Sequence, residues 1–244
     1  MGWSPAMRAG TSLAVSLLVG ACGQPSLETG SIEFKDARIK FEINATDGDG
    51  GVQIFLDADT WAELEIYDPN GERIFSTSTD GSIALQGGTE LFLESAEPTF
   101  AELPLPDLLE RFPAGDYRFE GTSPEGELIT GTATLSHDIP AGPVLLDPAD
   151  GAEIADLDHT VLSWEPVPPP NGTPIIAYQV LVVEPDTGNP ALPAIVLDVM
   201  MPADATSVAI PAGFLQSGTE YEWEVLAIEA SGNQTLSSAV FTTT

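Results

Sequence analysis

Apolar residues in this chain recur at every second position, in runs too short for helices of ordinary length. Ile39, Phe41 and Ile43 alternate with Lys40 and Glu42, Leu64 and Ile66 with Glu63 and Glu65, and Tyr117 and Phe119 with Arg118 and Glu120. A period of two sends one face of an extended segment into a core and the other into water. Turn formers stand between the runs: the 244 residues include 23 Gly and 21 Pro, spread along the chain. Many short strands punctuated by turns predict an all-β fold of β-sandwiches. Asp68-Pro69-Asn70-Gly71 lies between two such runs and predicts a hairpin turn. Pro106 to Phe112 reads as one short helix that opens on a Pro-Asp pair.

Residues 138–142, Asp-Ile-Pro-Ala-Gly, read as a linker between two strand-rich segments, 31–137 and 143–244. In the second segment Pro143 to Pro148 is followed by Val161-Leu162-Ser163-Trp164, Tyr178-Gln179-Val180 and Val208-Ala209-Ile210-Pro211. Leu215 stands six residues before Tyr221, the strand from Tyr221 to Ala227 carries Trp223 and Val225, and the chain closes through Phe241. In this order the residues resemble a fibronectin type III domain over about 100 residues. The resemblance implies an immunoglobulin-like sandwich with Trp164 between its sheets. It also implies that Tyr221 sits at a corner, its hydroxyl bonded to nearby backbone. The first segment predicts a second sandwich and resembles no family.

The N-terminus carries one charge, Arg8, and then a short apolar run from Leu13 to Val19. That run is too short to span a bilayer, which takes about 20 apolar residues. A basic start, a short apolar core and small residues at its end describe a signal peptide over 1–21. The core ends in Leu18-Val19-Gly20-Ala21-Cys22, which resembles the lipobox of bacterial lipoproteins. The resemblance implies acylation of Cys22, the only cysteine, and the polar, turn-rich residues Gln24 to Gly30 read as a tether, 22–30 in all. More than one acyl chain anchors stably where a single chain binds only marginally. In that family an Asp after the cysteine favours retention in the inner membrane; Gly23 stands there, so the resemblance implies an outer-membrane lipoprotein. The expected setting is an exported chain held to the membrane by lipid.

Charge removes one class of partner. There are 38 acidic residues against 7 basic ones, a net charge of -31. Such a chain repels phosphate backbones, so nucleic acid is excluded. No Gly-x-Ser-x-Gly elbow, His-Glu-x-x-His helix or phosphate-binding glycine loop occurs, and the two histidines, His137 and His159, are expected at the surface. The chain is therefore expected not to be an enzyme.

Three groups of residues remain as candidate sites. Asp47-Gly48-Asp49-Gly50-Gly51 with Asp57 and Asp59 resembles the opening of a calcium loop, although the twelfth position is Ala58 rather than Glu. The four aspartates are the candidate calcium ligands, with a solvated turn as the alternative; no other cofactor is expected. If Leu64 and Ile66 face the core, Trp61 and Tyr67 share the outer face of one strand with Glu63 and Glu65, where they offer stacking surface for a sugar ring or else cover a sheet edge or pack against the neighbouring domain. In the second segment Leu181, Val183, Leu226 and Ile228 are left facing outward, as a partner face or a contact with the first segment. The expected function is a non-catalytic protein-interaction or scaffold module. A carbohydrate-binding or adhesion module, assisted by calcium, is the alternative. The partner is thus an unknown protein or glycan.

Overall fold

The structure is a computed structural model that describes residues 31–244. Cys22, the signal peptide and the tether lie outside the described residues. The first half comprises β1 (Ile32–Glu33), β2 (Asp36–Asn44), β3 (Asp49–Trp61), β4 (Glu63–Tyr67), β5 (Arg73–Ser78), α1 (Gly81–Gln86), β6 (Gly88–Glu94), α2 (Leu105–Arg111), β7 (Gly115–Thr122) and β8 (Leu128–Leu135). The second comprises β9 (Leu145–Asp147), β10 (Ala152–Ile154), β11 (Val161–Trp164), β12 (Ile175–Val183), β13 (Ile195–Pro202), β14 (Ser207–Ala209), β15 (Glu220–Glu229) and β16 (Gln234–Thr243).

The alternating runs form strands with the expected parity. Ile39, Phe41 and Ile43 of β2 are buried while Lys40 and Glu42 are half-buried on the other face. The hairpin between β4 and β5 turns where the Asp-Pro-Asn-Gly sequence places it. Asp68 accepts from the Asn70 N–H at 2.9 Å, and Gly71 takes a φ of 83°, which glycine adopts without strain. The short helix forms as α2, with a proline in its first turn and Leu108 buried.

Two cores result. The first is the space between the sheet β1-β8-β7-β4-β5 and the strands β2-β3-β6, filled by Phe41, Leu56, Leu64, Ile66, Tyr117 and Phe119. The second lies between β14-β11-β9 and β13-β12-β15-β16, filled by Trp164, Tyr178, Val180, Trp223 and Phe241. The fold is all-β, and the second sandwich has the fibronectin type III topology. Trp164 is fully buried between its sheets. The Tyr221 hydroxyl accepts the Gln216 N–H at 3.1 Å, fixing the corner next to Leu215.

The two sandwiches share a sheet. β16 runs parallel to β2, with Gln234 beside Glu42 and Leu236 beside Asn44. The largest sheet therefore runs β13-β12-β15-β16-β2-β3-β6, with β10 alongside β16. Residues 138–142 are packed into this joint. Asp138 accepts from Asn171 at 2.9 Å and Thr173 at 2.5 Å, and the Pro140 carbonyl accepts from Thr235 at 2.6 Å. A Cβ on Gly142 would collide with Ala45 and Ser237, so the chain needs a glycine to pass between the sandwiches.

Candidate functional site

The outer face of the shared sheet, where β2 meets β16, gathers the chemistry of the molecule. Strand parity sends Lys40 and Glu42 to this face, Gly51 and Gln53 of β3 beside them, and Glu94 at the end of β6. Glu97 follows in the next loop and leans over Gly51, which has no side chain to exclude it. Carboxylate oxygens of Glu42, Glu94 and Glu97 lie within 4.8 Å of one another. Burial, then Glu94, Glu42 and Asp49, push the Glu97 carboxyl up to about 7. Burial also raises Asp49, with Asp47 adding to it, and Asp49 Oδ1 has no hydrogen-bond partner. Three oxygens at this spacing are the ligand type a hard cation takes.

The cluster continues across the joint. Lys40 donates to Gln234 Oε1 at 2.7 Å, and the Gln234 amide donates to Glu42. Burial lowers the Lys40 ammonium below the ordinary lysine range. On β15, burial followed by Glu222, Glu42 and Asp47 pushes Glu224 up to about 7. Thr46, in the turn after β2, exchanges hydrogen bonds with Ser238 of β16, at 2.8 Å from its N–H and 3.4 Å to its carbonyl.

A second cluster locks the joint from the opposite face. Asn233 is fully buried. Its Oδ1 accepts the Phe41 N–H at 2.8 Å, and its amide donates to the Ser136 carbonyl at 3.1 Å and hydroxyl at 2.9 Å. Glu229, also fully buried, accepts from the N–H groups of Ser231 at 2.7 Å and Asn233 at 3.0 Å.

The four aspartates expected to bind calcium do not converge. Asp47 and Asp49 sit at the start of β3, and Asp57 and Asp59 sit near its end. The strand is continuous between them, and eight residues of it span about 26 Å. Asp59 pairs instead with Lys35 at 2.6 Å.

Trp61 and Tyr67 do not share an outer face. The chain passes from one sheet to the other at Ala62, which breaks the parity between β3 and β4. Trp61 is only 8% exposed and packs against Gly88. Tyr67 is half-buried beneath the Arg118 guanidinium, 4.0 Å from its ring centroid, and donates to Glu65 at 2.6 Å.

The outward aliphatics are covered as well. Leu226 is 3% exposed and Leu181 9%, forming a small cluster with Leu236 on the junction face. Val183 and Ile228 are half-buried. The candidate partner face is therefore not an open one.

The histidines have structural partners. His137 is half-buried rather than at the surface, with Nε2 2.9 Å from the Phe112 carbonyl and its ring edge-on to Phe41. His159 is exposed and bonds Asp156 at 2.8 Å; that bond and the Asp156 charge raise its pKa. Sequence reasoning missed Glu42, Glu94, Glu97, Glu224 and Asn233. Each occupies an ordinary polar position; the β2–β3–β6 pairing gathers Glu42, Glu94 and Glu97, and the β2–β16 pairing sets Glu224 and Asn233 near β2.

No helix among the described residues is long and apolar enough to cross a membrane. No known family matches the chain, and no curated protein is similar to it. Among solved structures, an engineered protein is 18% identical over 45% of this chain, with a TM-score of 0.32. The match covers 21% of that protein's own length. The fibronectin(III)-like modules of Clostridium thermocellum CbhA are 10% identical, covering 86% of this chain and 93% of theirs, with a TM-score of 0.34. At these scores neither neighbour bears on function, and the fold assignment rests on strand order and the two cores.

Proposed function

We propose that this chain is an exported, lipid-anchored, non-catalytic interaction module in which two sandwiches act as one rigid arm. The joint supports this reading most directly. Inter-domain contacts within a chain are ordinarily polar and mobile. Here the sandwiches share strand hydrogen bonds, and buried Asn233 of the second accepts from the Phe41 N–H and donates to the Ser136 carbonyl of the first. An arm of this kind holds the surfaces of its two sandwiches at a fixed orientation to each other. The lipobox at Leu18 to Cys22 supplies the anchor.

Membrane fractionation combined with cross-linking in the native cell tests the proposal. The wild-type chain should stay with membranes after a high-salt wash, and Cys22→Ser should enter the soluble fraction. A Ser variant that remains with membranes overturns the anchor. On intact cells the anchored chain should cross-link reproducibly to one defined protein. Binding to a glycan array with no protein cross-linked would overturn the protein-interaction reading in favour of a sugar ligand.

A further inference from the structure

The shared sheet ends on two open edges, β6 and β13, that differ in charge. An open edge presents unpaired backbone N–H and C=O groups, which natural proteins blunt with charge, proline or bulges. β6 is blunted by charge: Glu90 and Glu94 are exposed on either side of the exposed Phe92, with Glu97 just beyond. β13 reads Ile-Val-Leu-Asp-Val-Met-Met-Pro; a bulge at Val196 and the proline at 202 bound a regular stretch from Leu197 to Met201, about the usual strand length of five to six. Its one charge, Asp198, is drawn back onto the sheet by the Gln179 amide at 2.8 Å. Met200 is 56% exposed and Ile195 46%. Among the described residues no strand pairs with its outer side.

We infer that the free edge of β13 takes up an extended apolar strand of a partner protein, flanked by basic residues, as a further strand of the shared sheet. This rests on the interaction reading above and names its surface. Backbone bonds would supply affinity, and alternate side chains would supply selectivity. A hollow of about 380 Å³ beside the start of β13, lined by Leu192, Ile195, Val196 and Phe214 with Glu184 and Gln216 at its polar side, has room for an apolar side chain of the incoming strand and for a basic group beside it. The flanks set the charge. Glu184 and Asp186 lie beyond the Ile195 end and Asp204 beyond the Pro202 end, and residues 138–244 contain no Lys or Arg. A second copy fits poorly. Antiparallel pairing of β13 with itself would set the Glu184–Asp186 end of one copy against the Asp204 end of the other.

The test uses the mature chain made soluble by Cys22→Ser. The probe is a short synthetic peptide of alternating valine and threonine between lysine pairs. Controls carry glutamate pairs in place of lysine, or two central prolines. The lysine peptide should bind by fluorescence anisotropy and slow amide exchange over residues 195–202, and both controls should fail. Met200→Lys should weaken binding about tenfold with an unchanged melting temperature, whereas Phe92→Ala on β6 should leave it intact. Protection over residues 88–94 instead, indifference to Met200→Lys, or a dimer by light scattering without peptide would each overturn the inference. The anchor and cross-linking experiments on membranes are independent, so failure here leaves that reading standing.

Discussion

At the scale of single residues, side-chain environment separates the carboxylates that stabilise this protein from those that oppose it. Asp138 is held below the ordinary carboxylate range by hydrogen bonds from Thr173 and Asn171. Glu224 is the opposite case, half-buried on the outer face near Glu222, Glu42 and Asp47 and pushed up to about 7. A carboxyl whose pKa is raised on folding disfavours the folded state wherever it is ionised. That penalty is full above about pH 7 and fades as pH falls towards the unfolded value near 4.5. Glu224→Gln should therefore raise the denaturation midpoint at pH 8 by the equivalent of about 1–2 kcal/mol, a figure reduced for solvent screening. At pH 4.5 the variant and wild type should coincide. Urea titrations at both pH values check this, and a variant no more stable at pH 8 would show that Glu224 is solvated well enough to ionise freely.

At the scale of elements, the joint depends on the turn between β15 and β16. Asn233 is fully buried and uses both sides of its amide across the two sandwiches. Removing a buried partner strands the groups it satisfied, typically at about 1–3 kcal/mol. Asn233→Ala should lower stability by that amount and speed amide exchange at Phe41, while exchange at Val180 in the second core stays slow. Unchanged exchange at Phe41 would mean that strand pairing alone holds the joint. Little of this joint is legible in the sequence. Period-two alternation locates β2, β4 and β7, and the order of Trp164, Tyr178 and Tyr221 locates the second sandwich, because those patterns are local. The run from Val161 to Trp164 forms β11 with the same bounds. The β2–β16 pair joins residues about 190 positions apart and leaves no periodic trace. The outer-face reading of Trp61 fails for a related reason: parity carries along one strand, and the chain changes sheets at Ala62. Parity does put Leu181 and Leu226 on the correct face, but whether that face is open depends on the neighbouring sandwich.

At the scale of the whole molecule, the two sandwiches differ in how their charge is compensated. The ion pairs Lys35–Asp59, Arg38–Asp36, Arg73–Glu65 and Arg118–Glu120 all lie in the first sandwich, and their side chains are largely exposed. Exposed pairs contribute about 0–1 kcal/mol each and weaken with salt. Residues 138–244 hold 15 acidic groups and no Lys or Arg, leaving only His159, bonded to Asp156, as an internal cation. Fusion through β2 and β16 brings more carboxylates to this sandwich, since Glu42 and Asp47 act on Glu224 across the joint. Two effects of added salt therefore oppose each other: loss of a few weak pairs, and relief of repulsion spread over a whole sandwich. The screening length is about 30 Å at 0.01 M salt and about 8 Å at 0.15 M. At the lower concentration repulsion reaches across the domain, so its relief outweighs the lost pairs. The soluble mature chain should melt several degrees higher in 0.5 M than in 0.01 M sodium chloride, equivalent to about 1–2 kcal/mol for a protein of this size. Divalent cations should act at lower concentration than sodium, because Glu42, Glu94 and Glu97 lie close enough for one ion to meet all three. Calorimetry across the salt series checks both statements. A melting temperature flat from 0.01 M to 0.5 M would show that the carboxylates are too widely spaced to act on one another, and that acidity serves solubility alone.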